Sequence, residues 1–249
     1  MPDRRHFLTR TAAMSASTLL PQFAAASPAL GTRPIHSDKR LLPVIGLGTW
    51  QTFDVGNDAA RRSGLGELLL RFAELGGTVV DSSPMYGSAE SVLGDLAAAG
   101  RLRDRLFFAT KVWTQGRAEG VAQMTESLRR LQSPRIELMQ IHNLVDWRTH
   151  LPGLRAWKAE GRIRYLGISH YTASAHAEVE AVLRREPLDF LQINYSAEER
   201  QAARRLLPLA QERGVAVLVN RPFGGGGLLH RLRTRPLPAW PSPHIPPRS

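Results

Sequence analysis

Short apolar segments alternate with longer segments of helical periodicity from about residue 42 onward. The short segments are rich in Val, Ile, Leu and Phe, which is the composition typical of buried β-strands. Strands that alternate with helices in this way predict βα units around a parallel sheet. Seven strands are predicted, over residues 43–47, 78–81, 106–111, 136–142, 165–169, 190–194 and 215–220.

The segments between the predicted strands carry apolar residues at intervals of three and four, which places them on one face of an α-helix. One such face comprises Val121, Met124, Leu128 and Leu131, and another comprises Leu206, Leu207 and Ala210. We expect both helices to pack on the sheet through these faces.

Polar residues end the last six predicted strands: Asp81, Lys111, His142, Ser169, Asn194 and Asn220. A closed parallel barrel gathers the carboxyl ends of all its strands on the face that carries the active site, whereas an open doubly wound sheet gathers only those near its switch point. No GxGxxG motif follows the first strand, which also disfavours a dinucleotide-binding open sheet. The sequence therefore predicts an α/β fold of the (β/α)8 TIM-barrel type.

The barrel pattern stops after Phe223. A glycine run at residues 224–227 follows, which suits a flexible turn or a phosphate cradle, and six prolines lie between Pro236 and Pro247. We therefore expect an incomplete barrel of about seven strands and a truncated carboxyl terminus, without the eighth strand and the last helices. The predicted domains are a barrel over residues 27–230 and a disordered Pro/Arg-rich tail over residues 231–249.

The first 26 residues are similar to a twin-arginine signal peptide, with Arg4 and Arg5 before a mildly apolar run that ends in small residues at Ala26. The run is too short and too polar to span a hydrocarbon core about 30 Å thick, so no stable membrane span is expected. We expect export by the twin-arginine machinery to the periplasm. An amphipathic helix or a disordered arm is the alternative.

Composition narrows the classes of function. The net charge of +11 comes mostly from arginines scattered over 249 residues, without a basic block beside aromatic residues, so nucleic acid is not an expected partner. The chain has no cysteine, which excludes thiol catalysis, disulfides and thiolate metal sites. Its histidines lack the paired spacing of a ligand cluster, and no metal site is predicted.

Three segments carry a resemblance to a known family. Residues 80–94 (VDSSPMYGSAESVLG), 160–169 (EGRIRYLGIS) and 46–50 (GLGTW) are similar to segments of the aldo/keto reductases. The resemblance covers roughly residues 42–229. It implies a barrel enzyme that reduces an aldehyde or ketone to an alcohol, with NADP(H) as the cofactor and NAD(H) as the alternative.

The resemblance implies four catalytic residues, which are Asp81, Tyr86, Lys111 and His142. Hydride delivered to a carbonyl carbon leaves an alkoxide that must receive a proton, and Tyr86 is the expected general acid. The ammonium of Lys111 is expected to favour the phenolate and so ease release of that proton, while Asp81 holds Lys111 in position. His142 is expected to orient the oxygen of a small carbonyl substrate by a hydrogen bond.

The resemblance also implies a cofactor site, with two departures. Ser169 and Gln192 match family residues that bind the nicotinamide carboxamide, but His170 replaces an Asn. Asn220 stands where the family has a stacking aromatic residue, for which Phe223 is the alternative, and the segment that holds the 2′-phosphate has no recognisable counterpart. The predicted cofactor-binding residues are Gly48, Thr49, Trp50, Ser169, His170, Gln192, Asn220, Arg221, Pro222 and Phe223.

Three other functions are compatible with these residues. An incomplete barrel could keep the catalytic residues without binding cofactor, as a pseudoenzyme or a nonfunctional product. Lys111 could form a Schiff base in a lyase, although the context of Tyr86 and Asp81 argues against it. An exported binding or scaffold protein would bind a ligand without turnover.

Overall fold

A computed structural model describes residues 30–233 and Arg235. The predicted signal peptide and most of the predicted tail, residues 234 and 236–249, lie outside the described residues. None of the helices described here has the length and hydropathy needed to cross a membrane.

Seven parallel strands form one sheet that curls into a half-barrel, and each strand pairs with the next strand along the chain. The strands are β3 (Leu47–Gly48), β4 (Val79–Asp81), β5 (Phe107–Val112), β6 (Ile136–His142), β7 (Ile163–Ser169), β8 (Phe190–Asn194) and β9 (Ala216–Asn220). Within the described residues no eighth barrel strand follows β9. The predicted incomplete (β/α)8 barrel is therefore confirmed.

Helices connect consecutive strands and cover the outer face of the sheet: α1 (Ala59–Glu74), α2 (Ala89–Ala99), α3 (Arg117–Arg130), α4 (Trp147–Ala159), α5 (His176–Arg185) and α6 (Leu206–Glu212). Alternation along β5 explains this arrangement, because Phe107 and Ala109 belong to the core inside the barrel whereas Phe108 packs towards the helices. Both cores are apolar, so the central strands β5 to β8 are buried on their two faces almost throughout, as expected for a parallel sheet.

The predicted strand at residues 43–47 is wrong. Leu41–Pro43 forms β2, which pairs antiparallel with β1 (Thr32–Pro34), and the first barrel strand is the two-residue β3. Val44 and Ile45 are exposed between them. Hydrophobicity alone does not distinguish a hairpin strand from a barrel strand. The hairpin brings Ile35 and Leu42 into the inner core, where they pack with residues at the amino-terminal ends of the barrel strands.

Two helical details also differ from the sequence analysis. Met124 and Leu131 are buried as predicted, but Val121 is 36% exposed because Gly120, Met124 and Ser127 form the buried face of α3. The glycine run enters a short 3-10 turn at Gly224–Gly226 and then a helix, α7 (Gly227–Leu232), which the sequence pattern did not predict.

Candidate active site

The carboxyl ends of the barrel strands bring the four predicted catalytic residues together. Asp81 and His142 are the last residues of β4 and β6, and Lys111 is the next-to-last residue of β5. Tyr86 lies on the loop between β4 and α2. The site is therefore built on rigid strand ends with one side chain supplied by a short loop.

Lys111 and Asp81 form a buried ion pair at the centre of the site. Lys111 Nζ lies 2.7 Å from Asp81 Oδ2 and donates to the Ser82 carbonyl oxygen at 2.6 Å. The Lys111 side chain is 1% exposed, so these oxygens replace the water that an ammonium requires. Gln140, the register partner of Lys111 on β6, places Nε2 at 3.4 Å from Asp81 Oδ1. Loss of the Asp81 charge would leave the buried Lys111 ammonium without its partner.

Tyr86 is partly buried beside this pair. Lys111 Nζ lies 5.3 Å from the centroid of its ring. Burial raises the pKa of the Tyr86 phenol well above its ordinary value, and the charge of Asp81 raises the pKa further. Burial and the charge of Asp81 therefore dominate the pKa of Tyr86 in this structure, and the expectation that Lys111 eases release of the phenol proton stays a prediction.

His142 faces the edge of Tyr86, with ring centroids 6.0 Å apart and planes at 86°. Burial, the charge of Lys111 and then His170 lower the pKa of His142 from 6.5 to about 3. The imidazole is therefore neutral at physiological pH. Its Nδ1 lies 3.1 Å from the hydroxyl oxygen of Ser83, so Nε2 is the other position from which the ring can act.

The loop that carries Tyr86 is fixed by Asp54. One carboxylate oxygen of Asp54 accepts from the Ser88 backbone N–H at 2.9 Å and from the Ser88 hydroxyl at 2.8 Å. Gly87 has φ of +59°, and a Cβ there would overlap the Asp54 carboxylate. The turn after Tyr86 therefore requires glycine for both its conformation and its space.

His142, Ser169 and Gln192 are register partners on the neighbouring strands β6, β7 and β8. Register partners in a parallel sheet present their side chains on the same face, so these three residues form one row inside the barrel mouth. Ser169 Oγ is buried without a hydrogen-bond partner among the described residues. The Ser169 hydroxyl can therefore form a hydrogen bond with a ligand next to His142.

The other predicted cofactor residues lie in two groups, one at the β3 edge of the sheet and one towards its β9 edge. At one edge, Thr49 is fully buried and its hydroxyl contacts the Asp81 carbonyl oxygen at 3.0 Å and Ser82 Oγ at 2.9 Å. Gly48 is the register partner of Asp81, and Trp50 is 53% exposed. Thr49 therefore supports the Asp81 strand end directly, while a cofactor contact for residues 48–50 stays a prediction.

At the other edge, Asn220 Nδ2 donates to the His170 carbonyl oxygen at 3.0 Å, which ties the ends of β9 and β7 together. The His170 ring stacks on Tyr171 with centroids 5.8 Å apart, and burial lowers the pKa of His170. Arg221, Pro222 and Phe223 are exposed. Among the described residues at this edge, the aromatic side chains that could stack on a nicotinamide are Phe223 and Tyr171, and both are exposed.

Three residues of the site were missed by the sequence analysis: Ser82, Ser83 and Gln140. Gln140 carried a usable signal, because it lies two residues before His142 on one strand and therefore points to the same face. Ser82 acts through its backbone oxygen, which any residue provides. Ser83 is part of the quoted segment 80–94, but nothing in its spacing indicates contact with His142.

A sequence model of the aldo/keto reductase family matches residues 44–242. The chain belongs to the aldo/keto reductase family. Among curated members, it is 29% identical over 194 residues to a methylglyoxal reductase from Escherichia coli, covering 76% of this chain and 66% of that protein. It is 31% identical over 204 residues to an uncharacterized oxidoreductase from Mycobacterium tuberculosis, covering 77% of this chain and 62% of that protein. This aldo/keto reductase chain thus spans just under two thirds of the length of these relatives.

Solved aldo/keto reductases share the fold. One from Klebsiella pneumoniae in complex with NADP and acetate superposes with a TM-score of 0.65 at 28% identity, covering 76% of this chain and 68% of that chain. Another from Klebsiella pneumoniae in complex with NADPH gives a TM-score of 0.67 at 27% identity, covering 80% and 71%. The half-barrel described here thus corresponds to the larger part of those barrels.

Proposed function

We propose that this chain is an NADP-dependent oxidoreductase that reduces an aldehyde or ketone to an alcohol, with NAD(H) as the alternative cofactor. The observation that carries the proposal is the buried Lys111–Asp81 pair with Tyr86 and a neutral His142 beside it, at the carboxyl end of the barrel. The relative named as a methylglyoxal reductase and the structures in complex with NADP or NADPH support it.

Tyr86 is the proposed general acid. Its raised pKa keeps the phenol protonated at neutral pH, so the proton is present when it is needed. A developing alkoxide is a stronger base than a phenolate, and the transfer therefore remains favourable despite burial. The Lys111 ammonium, held by Asp81 and the Ser82 carbonyl, stabilises the phenolate left after transfer. Solvent then returns the proton to Tyr86.

His142 is proposed to orient the carbonyl oxygen. A neutral imidazole donates one hydrogen bond without competing for the proton of Tyr86, which suits a group that polarises rather than protonates. With Tyr86 at the other side of the same oxygen, the two donors would converge on the atom where negative charge develops.

The row of His142, Ser169 and Gln192 fits a nicotinamide carboxamide. The unpartnered Ser169 hydroxyl and the Gln192 amide supply both donors and acceptors, which a carboxamide needs for its NH2 and carbonyl groups. When bound, a reduced nicotinamide supplies the hydride that goes to the carbonyl carbon. Gly48, Thr49, Trp50, His170, Asn220, Arg221, Pro222 and Phe223 complete the proposed cofactor site.

The first test measures NADPH binding to the purified chain through the quenching of tryptophan fluorescence. NADH binding is measured in the same way. Carbonyl reduction is then measured by NADPH oxidation, with methylglyoxal among the substrates. We expect Tyr86→Phe to lower kcat by about 10²- to 10⁴-fold, since it removes the proton donor, and to leave NADPH binding intact. Tyr165→Phe is the matched control, because Tyr165 bonds Asp38 at the opposite end of the barrel.

Other outcomes would favour the alternatives. A folded protein that binds neither NADPH nor NADH would be a cofactor-deficient barrel. The open sheet between β9 and β3 favours this alternative, because a cofactor site there would lack one wall. Trapping of a carbonyl substrate on Lys111 by borohydride would indicate a Schiff-base lyase instead. Ligand binding that survives in Tyr86→Phe without turnover in either protein would indicate a binding protein.

A further inference from the structure

The Ser83 hydroxyl is the side-chain partner of His142 in the described part of the chain. Ser83 lies in the loop directly after β4 and is fully buried, and His142 is 6% exposed. Ser83 Oγ and His142 Nδ1 are 3.1 Å apart, which is a hydrogen-bond distance. Because both groups are shielded from water, the direction of this bond determines where the imidazole keeps its proton.

The surroundings of Ser83 determine the direction. Its oxygen already faces the Met85 backbone N–H at 3.4 Å, a long contact in which it can only accept. Its one proton needs an acceptor, and among the described residues His142 Nδ1 is the acceptor within reach. The reverse bond, from Nδ1–H to Oγ, would leave a buried hydroxyl proton without a partner, which is the costlier arrangement.

We propose that Ser83 is a positioning residue that holds neutral His142 as the Nε2–H tautomer. Ser83 donates to Nδ1, so the single imidazole proton must lie on Nε2. This leaves His142 with a donor at the ring position that Ser83 does not occupy. The use of that donor, towards a carbonyl oxygen, rests on the proposed reductase function, whereas the tautomer itself does not.

The charges around His142 are consistent with a fixed neutral tautomer. Lys111 is the nearby cation, and the Asp81 carboxylate is occupied by Lys111 and approached by Gln140. His170 follows β7 at the same end of the barrel, and Tyr86 packs against the His142 ring as a neutral phenol. None of these described groups offers Nδ1 a second acceptor.

The tautomer can be measured without substrate. In the full chain labelled with 15N-histidine, long-range 1H–15N spectra at pH 7 distinguish a protonated from an unprotonated Nδ1, and His142→Asn assigns the signal. We expect an unprotonated Nδ1 and a protonated Nε2 in the wild type. Ser83→Ala should give averaged nitrogen shifts, since both tautomers become accessible. A protonated Nδ1 in the wild type, or an unchanged spectrum in Ser83→Ala, would overturn the proposal.

Kinetics provide the second readout. We expect Ser83→Ala to lower kcat for carbonyl reduction by about tenfold with the KM for NADPH unchanged, because a misplaced proton weakens one hydrogen bond to the oxygen. Ser83→Thr, which keeps the hydroxyl, should restore the nitrogen shifts. Ser127→Ala is the matched control, since Ser127 is an equally buried serine on α3. If the wild type reduces no carbonyl, the reductase proposal fails while the spectra still decide the tautomer.

Discussion

Burial moves the pKa values of Tyr86 and His142 in opposite directions and leaves both side chains neutral. The phenol becomes harder to deprotonate, and the imidazole becomes harder to protonate. The other two residues at the centre of the site, Lys111 and Asp81, form an ion pair. All four residues were candidates from the sequence, but the sequence did not predict these shifts, because burial and distance are properties of the folded chain.

The shift of His142 predicts a pH-dependent stability. Its pKa is 6.5 when unfolded and about 3 when folded, so the contribution of the neutral form is present above pH 6.5 and is lost as pH falls towards about 3. Between pH 7 and pH 5 the wild type should lose unfolding free energy, measured with urea, because of this histidine. We expect His142→Gln to lose about 2 kcal/mol less over the same range. The exposed His36→Gln is the control. If the unfolding free energies of His142→Gln and the wild type changed equally with pH, the lowered pKa of His142 would be contradicted.

Two of the buried strands, β6 and β8, have the bounds that the sequence predicted. The predicted residues 136–142 and 190–194 match these bounds, because nearly every residue of the two strands is buried. The prediction of a strand at residues 43–47 was wrong because these residues belong to different elements. Residue 43 ends the hairpin strand β2, residues 44–46 connect it to the barrel, and residue 47 begins β3. Periodicity reports burial, and it does not report which neighbour a strand pairs with.

The helices α2 and α3 pack closely against each other at Gly94. Gly94 lies on the buried side of α2, where a Cβ would overlap the Arg130 carbonyl oxygen at the end of α3. We expect Gly94→Ala to lower the unfolding free energy by about 1–3 kcal/mol, because the two helices must move apart.

The matched control is Gly153→Ala in α4. No described residue lies within 4 Å of the added methyl group there, so the gain in helix propensity should raise stability by about 0.5–1 kcal/mol. Urea unfolding of both variants checks the pair. Equal effects of the two substitutions would mean that α2 and α3 do not approach as closely as described.

The half-barrel leaves strands β3 and β9 without a second neighbour in the described residues. The sequence predicted this arrangement from the count of seven strands, and the alternation of strands and helices was sufficient to predict the barrel type. The exposure of β9 follows from this open edge, because the same apolar strand would be buried in a sheet that continued. Val219 on this strand is 43% exposed.

An unpaired apolar strand edge favours association between molecules. We expect Val219→Lys to lower the fraction of oligomers seen by sedimentation velocity at high protein concentration, because a lysine on the edge opposes strand pairing. Val121→Lys on α3 is the control, as that valine is exposed to a similar degree on a helix. Oligomerisation that is unchanged in Val219→Lys would place the contact elsewhere.

The β1–β2 hairpin closes the amino-terminal end of the barrel, with Ile35 and Leu42 packed inside it. The proposed active site lies at the opposite end, where the strands finish. The described chain therefore enters the molecule, at Leu30 and Gly31, on the side away from the reacting groups. An affinity handle or a solid support attached ahead of the hairpin would hold the protein with its active-site opening directed towards the bulk solution.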